Sequence, residues 1–192
     1  MKEFNHAKRG LLIGTNLGGI HIQVQKHEIN QSSIAEQISK FWIERGARSS
    51  KKEALHFEPL SVSTTGNLGF AILTPGADDN GNQWIAVYDS ERYFSDLDLA
   101  KVLAEKFKTL VWCWSISDAA GEASAYKLNG ATGIVQELHG LGDVYSLMDP
   151  LPKDQICYDQ ILTIPSSDTE GVVTIAFENI PFRKGQEYSG PE

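Results

Sequence analysis

The stretch QWIAVYDSERYFSDLDLAKVLAEKFKTLVWCWSISDAAGEASAYKLNGATGIVQEL, residues 83–138, decides the fold. Gln83 to Asp89 alternates with Trp84, Ala86 and Tyr88 on one side and Ile85 and Val87 on the other, the pattern of a strand that is apolar on both faces. Ser95 reads as the start of a helix, with Asp98 as its capping partner and Asp96 adding charge that the helix dipole favours. Leu99, Val102, Leu103 and Phe107 then form one apolar stripe, opposite Lys101, Glu105 and Lys108. Thr109 to Ser117 follows at once and is rich in β-branched and aromatic residues, so a strand is expected. Glu122 to Leu128 and Ile134 to Leu138 flank Asn129-Gly130, a dipeptide that favours a tight hairpin with two positive φ angles; Gly133 adds a possible bulge site.

Strand, helix, strand, strand, strand is the order of an α+β fold, not of strict strand-helix alternation. The expectation is a mainly antiparallel sheet of six to eight strands with two amphipathic helices, Ser33 to Arg45 and Ser95 to Lys108, packed on it. With 192 residues, one well-buried core is the natural size, hence a single domain with loosely ordered ends at residues 1–10 and 183–192.

Outside the deciding stretch, Gly14 to Gly19 reads as a turn and Ile20 to Lys26 as a half-exposed strand. A phosphate loop does not fit, because no helix and no Gly-Lys-Ser/Thr follows. Ser33 with Glu36 forms a capping-box pattern, and Ile34, Ile38, Phe41 and Trp42 a stripe that Gly46 terminates. Ala47 to Glu53 reads as a solvated basic loop. Leu60 to Thr64 and Leu68 to Thr74 read as strands joined around Gly66-Asn67, and Pro75 to Asn82 as a loop. The Asp78-Asp79-Asn80-Gly81-Asn82 string lacks the alternating ligand spacing of a calcium loop and reads as a turn. Gly140 to Lys153 is a long loop, and Ile161 to Ile164 and Gly171 to Phe177 are late strands.

Charge is uneven. Up to His56 there are 9 Lys/Arg against 5 Asp/Glu, and from Phe57 onward 8 against 20, giving −8 for the chain. An acidic body repels nucleic acid and membrane phosphate and attracts a basic protein. Cys113 and Cys157 read as core thiols, and without a signal-peptide pattern a cytoplasmic location is expected. The five histidines share no metal-ligand spacing and no nucleotide fingerprint occurs, so neither metal nor cofactor is expected.

The carboxylates Asp89, Glu91, Asp96, Asp98, Asp118 and Glu122 cluster around strand ends and a helix start, where they could gather at one end of the sheet. Such a group can dock a basic partner or, if two converge, work as an acid/base pair. Trp112 and Trp114 share one strand face, as do Trp84 and Tyr88, which suits a core stack or an exposed binding platform.

The segment Trp84 to Ser90, an acidic gap, Leu99 to Glu105, a β-rich run ending in Ser117-Asp118 and a hairpin closed by Asn129-Gly130 resembles the core of small bacterial proteins that include immunity proteins of toxin systems. The resemblance spans residues 83–138. It implies a non-enzymatic protein that neutralises a cognate toxin, here through an acidic surface over a basic toxin domain. The alternatives are a small hydrolase with paired carboxylates and an adaptor that binds through exposed aromatic strand faces.

Overall fold

The computed structural model describes residues 16–25, 27–50, 69–89, 96–117, 122–140, 151–152, 171 and 173–178. Eight described strands form one antiparallel sheet: β1 Asn16–Val24, β2 Arg48–Ser50, β3 Gly69–Ala77, β4 Gln83–Asp89, β5 Leu110–Ser117, β6 Glu122–Asn129, β7 Ile134–His139 and β8 Val173–Glu178, in the order β2-β8-β3-β4-β1-β5-β6-β7. Helices α1 (Gln31–Ile43) and α2 (Leu97–Phe107) complete an α+β fold with a mainly antiparallel sheet.

β1 lies near the middle of the sheet, between β4 and β5, with Ile20 opposite both Val87 and Cys113 and Ile22 opposite Ile85 and Val111. Because side chains alternate along a strand, this register gathers Ile20, Ile22, Ile85, Val87, Val111 and Cys113 on one face. There they join Ile34, Ile38, Phe41 and Trp42 of α1 and Leu99, Ala100, Leu103 and Ala104 of α2 in one buried cluster. Fully burying one such leucine or isoleucine contributes about 1.5 to 3 kcal/mol, so this layer dominates the stability.

Several local readings shift. The cap of α1 is Asn30, not Ser33: its side chain accepts from the Ser33 N–H while the Ser33 hydroxyl accepts from the Asn30 N–H. Ser33 is therefore the third helical residue of that box, a role an Asn-x-x-Ser pattern fills as well as Ser-x-x-Glu. The cap of α2 is Asp96, whose carboxylate accepts from the N–H groups of Asp98 and Leu99. Val102 is exposed, and Ala100 and Ala104 take its place on the buried side, where small residues let the helix approach the sheet. Gly18 and Gly19 belong to β1, not to a turn before it. Arg48 to Ser50 pairs with β8 and so is a short strand in place of a loop.

β3 continues through Pro75 to Ala77, and only Asp78 to Asn82 turns. The Asp78 N–H donates to the Asn82 carbonyl, so alternation turns the Pro75 nitrogen away from β4, and pairing with β8 has already ended at Leu73. Proline is tolerated where no ladder bond is required. Asp78 staples the turn: its carboxylate accepts from the Asn80 and Asn82 N–H groups, the Asn82 amide and the Trp84 indole. The Asn82 amide, ahead of the other donors, holds its carboxyl below the usual carboxylate range.

The β6–β7 connection is four residues long, from Gly130 to Gly133, and only Gly133 has positive φ (+72°). The role of Gly130 is close approach. Its N–H donates to the Thr109 carbonyl at 2.9 Å, and a Cβ there would lie 1.7 Å from the Ala104 carbonyl oxygen. Lys108 closes α2 in the left-handed region (φ 51°), and the Thr109 hydroxyl donates to the Gln23 carbonyl at 2.7 Å. The helix end, the entry to β5, β1 and the hairpin thus meet at one knot. The expected strands at 60–64 and 161–164, and the loosely ordered ends, lie outside the described residues.

Gly130→Ala should lower urea-measured stability by about 3 kcal/mol, because the methyl meets backbone that cannot yield. Gly133→Ala, which meets nothing within 4 Å and strains only φ, should lose about 1 kcal/mol. Equal losses at the two sites would show that the close approach to Ala104 is not what Gly130 is for.

Candidate functional site

β4 and β6 place Asp89 and Glu122 at one end of the sheet. Glu122 pairs with Ser117, and Ser117 with Asn16, at the end where β4 finishes at Asp89. α2 enters β5 through Lys108 and Thr109 and so runs back along it, which directs Asp96 and Asp98 toward that same end. Asp89 and Glu122 nevertheless stand on strands separated by two others, β1 and β5. At the usual strand spacing their backbones are about 14 Å apart. Paired-carboxylate catalysis needs carboxyl groups about 5 to 9.5 Å apart.

The two helical members have separate tasks. Asp96 is buried and committed to the α2 cap. Asp98 is exposed, 3.8 Å from Lys101 on the next turn, a surface pair of little energetic weight. Glu91 and Asp118 lie outside the described residues. Among the described residues no three His, Cys, Asp or Glu side chains are grouped so as to hold a metal ion.

A different polar cluster occupies the sheet face opposite the helices. Gly19 and His21 of β1 stand across from Trp114 and Trp112 of β5, and His21 is across from Ala86 of β4, between Trp84 and Tyr88. All four aromatic side chains are buried, so they do not form an exposed platform. Gly19 leaves room for the Trp114 indole, whose atoms a Cβ would meet at 3.4 Å. His21 has no solvent exposure, lies edge-on to Tyr88 with ring centroids 6.3 Å apart, and accepts on Nδ1 from the Trp114 Nε1–H at 3.2 Å.

That bond places the neutral ring's proton on Nε2. Neither His21 Nε2 nor Trp112 Nε1 has a hydrogen-bond partner among the described residues. A buried N–H donor left without any partner would cost about 1 to 3 kcal/mol. Burial pushes the His21 pKa down to about 3, so the ring stays neutral and is a poor proton acceptor at neutral pH.

Reading the sequence as a half-exposed β1 missed this cluster. The available signal was the spacing of Trp84, Tyr88, Trp112 and Trp114: a strand seated between two aromatic strand faces must present its own polar residues to them. No family model matches the chain, and no curated protein or solved structure gives a match.

His21 sets an acid dependence of known sign. Unfolded, the ring takes a proton below about pH 6.5, whereas folded it does so only near 3, so stability should fall as pH drops through that window. Between pH 7 and 4.5 the loss should be about 2 to 3 kcal/mol by urea unfolding, and His21→Gln should flatten it. Asp78, with its lowered carboxyl, contributes stability that is present above its unfolded pKa and is lost only below about pH 4. An unchanged slope in His21→Gln would remove His21 as the cause.

Proposed function

We propose that the chain is a non-enzymatic binding protein that docks a basic protein partner along the acidic end of its sheet, in the manner of an immunity protein neutralising a bacterial toxin in the cytoplasm. The observation that supports this most is the spread of carboxylates along one sheet end. Asp89, Asp98 and Glu122 come from separate elements, with two strands between Asp89 and Glu122, while the chain beyond His56 carries 20 acidic against 8 basic residues. A dispersed negative surface speeds encounter with a basic cleft and blocks it once bound, without requiring any group to be activated. The segment that resembles immunity proteins, residues 83–138, supplies all of these carboxylates. No described helix is long and apolar enough to cross a membrane. The paired-carboxylate hydrolase is disfavoured by the two strands that separate Asp89 from Glu122, and the aromatic adaptor by the burial of Trp84, Tyr88, Trp112 and Trp114.

The test is affinity capture from the native host, followed by co-expression of the captured partner, which should be toxic alone and harmless together with this protein. Reversal to lysine at Asp89, Glu91, Asp118 and Glu122 should slow association at least about tenfold at low salt, with the gap to wild type narrowing as salt rises. Protection unaffected by the four reversals would reject the acidic docking face; absence of any toxic partner would reject the immunity role.

A further inference from the structure

The two ends of the described sheet are unequal. β2 is three residues long and carries Arg48, two ordinary ways of blunting an edge. β7 has six residues, paired with β6 alone among the described strands, and every side chain but the half-buried Leu138 is exposed. Ile134 is 64% and Val135 49% exposed, the highest values with Ile43 among the large apolar side chains of the described residues. No lysine, proline or bulge interrupts the strand. Its one carboxylate, Glu137, accepts from the Tyr126 hydroxyl at 2.8 Å and lies 3.1 Å from His139 Nε2.

The ladder fixes which backbone groups face outward. The Gly140 N–H donates to the Ala123 carbonyl, and the β6–β7 register is uninterrupted from Ser124↔His139 to Asn129↔Ile134. Antiparallel bonds alternate with period two, so Ile134, Gln136 and Leu138 bond to β6, while the N–H and C=O groups of Val135, Glu137 and His139 point away from it.

We infer that β7 is a dimerisation edge and that its occupant is β7 of a second copy of this chain, antiparallel about a two-fold axis at Gln136. The sequence is self-complementary in that register. Val135 and Glu137 each stand opposite the other's counterpart in the second copy, which makes four backbone hydrogen bonds from the outward-facing groups. Ile134 meets Leu138 of the second copy on one face, which covers that apolar pair, while Val135 meets the Glu137 side chain on the other. Gln136 meets its own copy on the axis. Centring the pair one residue later, at Glu137, would set the two Glu137 carboxylates directly opposite, a destabilising like-charge pair. The Gln136 register avoids that and uses only described residues. The result is one continuous sheet through both copies, closed by an isologous interface.

The full chain should sediment at twice 21.2 kDa at about 100 µM and dissociate on dilution, as a modest edge contact allows. Val135→Pro removes two of the four bonds but none of the β6 ladder, and Ile134→Lys places charge against Leu138; each should weaken association about tenfold or more, with an unchanged far-ultraviolet circular dichroism spectrum. Gln136→Cys should form an intermolecular disulfide that wild type does not, since directly opposed Cβ atoms on the axis are within bridging distance. A chain that stays monomeric at that concentration overturns the inference. So does a dimer that survives both substitutions in folded protein, or one that Gln136→Cys fails to cross-link.

Discussion

The structure depends on the seating of β1 between β4 and β5. Ile20 and Ile22 must face the helices for the core to close, and the same alternation then commits Gly19 and His21 to the aromatic face. A slip of one residue would drive His21 into the layer under α1 and α2 and would push Ile20 and Ile22 against the tryptophans. In the direction that seats Ile20 in place of Gly19, it would also press that side chain against the Trp114 indole. Both layers therefore specify one register, in which the N–H groups of His21 and Trp112 find no partner among the described residues.

Seating β1 also ties together parts of the chain that are remote in sequence. It pairs with strands that begin some sixty and ninety residues later, so the sheet can close only after non-local contacts form, the condition under which folding is slow. The knot at Thr109 addresses the same difficulty locally. A hydroxyl bond to Gln23, a carbonyl bond from Gly130 and the left-handed Lys108 fix the angle at which α2 gives way to β5. β5 is thereby aimed alongside β1 from one side while the hairpin of β6 and β7 extends it on the other.

The sequence was most legible where one residue pattern answered to one constraint. The alternation of Gln83 to Asp89 and the β-branched and aromatic run from Thr109 to Ser117 gave the two strands that hold β1, and the stripe of Ile34, Ile38, Phe41 and Trp42 gave the buried side of α1. It misled where a residue type serves two ends. Asn129-Gly130 has the composition of a two-residue turn, yet Gly130 is required by the Ala104 carbonyl and not by its own φ. Gly18 and Gly19 resemble a turn but lie in a strand, and at Gly19 the need for small volume comes from Trp114, a residue ninety-five positions away. The carboxylates at the sheet end were visible as a group, whereas their separation followed only once strand order placed β1 and β5 between Asp89 and Glu122. For function that separation matters more than the count, since a catalytic pair needs its two carboxyl groups within about 5 to 9.5 Å of each other.

Native-state hydrogen exchange tests the central role of β1 most directly. The account expects the amides of Ile20, His21 and Ile22 to exchange only through global unfolding, with opening free energies equal to the urea-measured stability and the same denaturant dependence. Exchange of those three amides through a smaller opening, with a denaturant slope well below the global value while β4 and β5 remain protected, would show that β1 leaves the sheet independently and would contradict it.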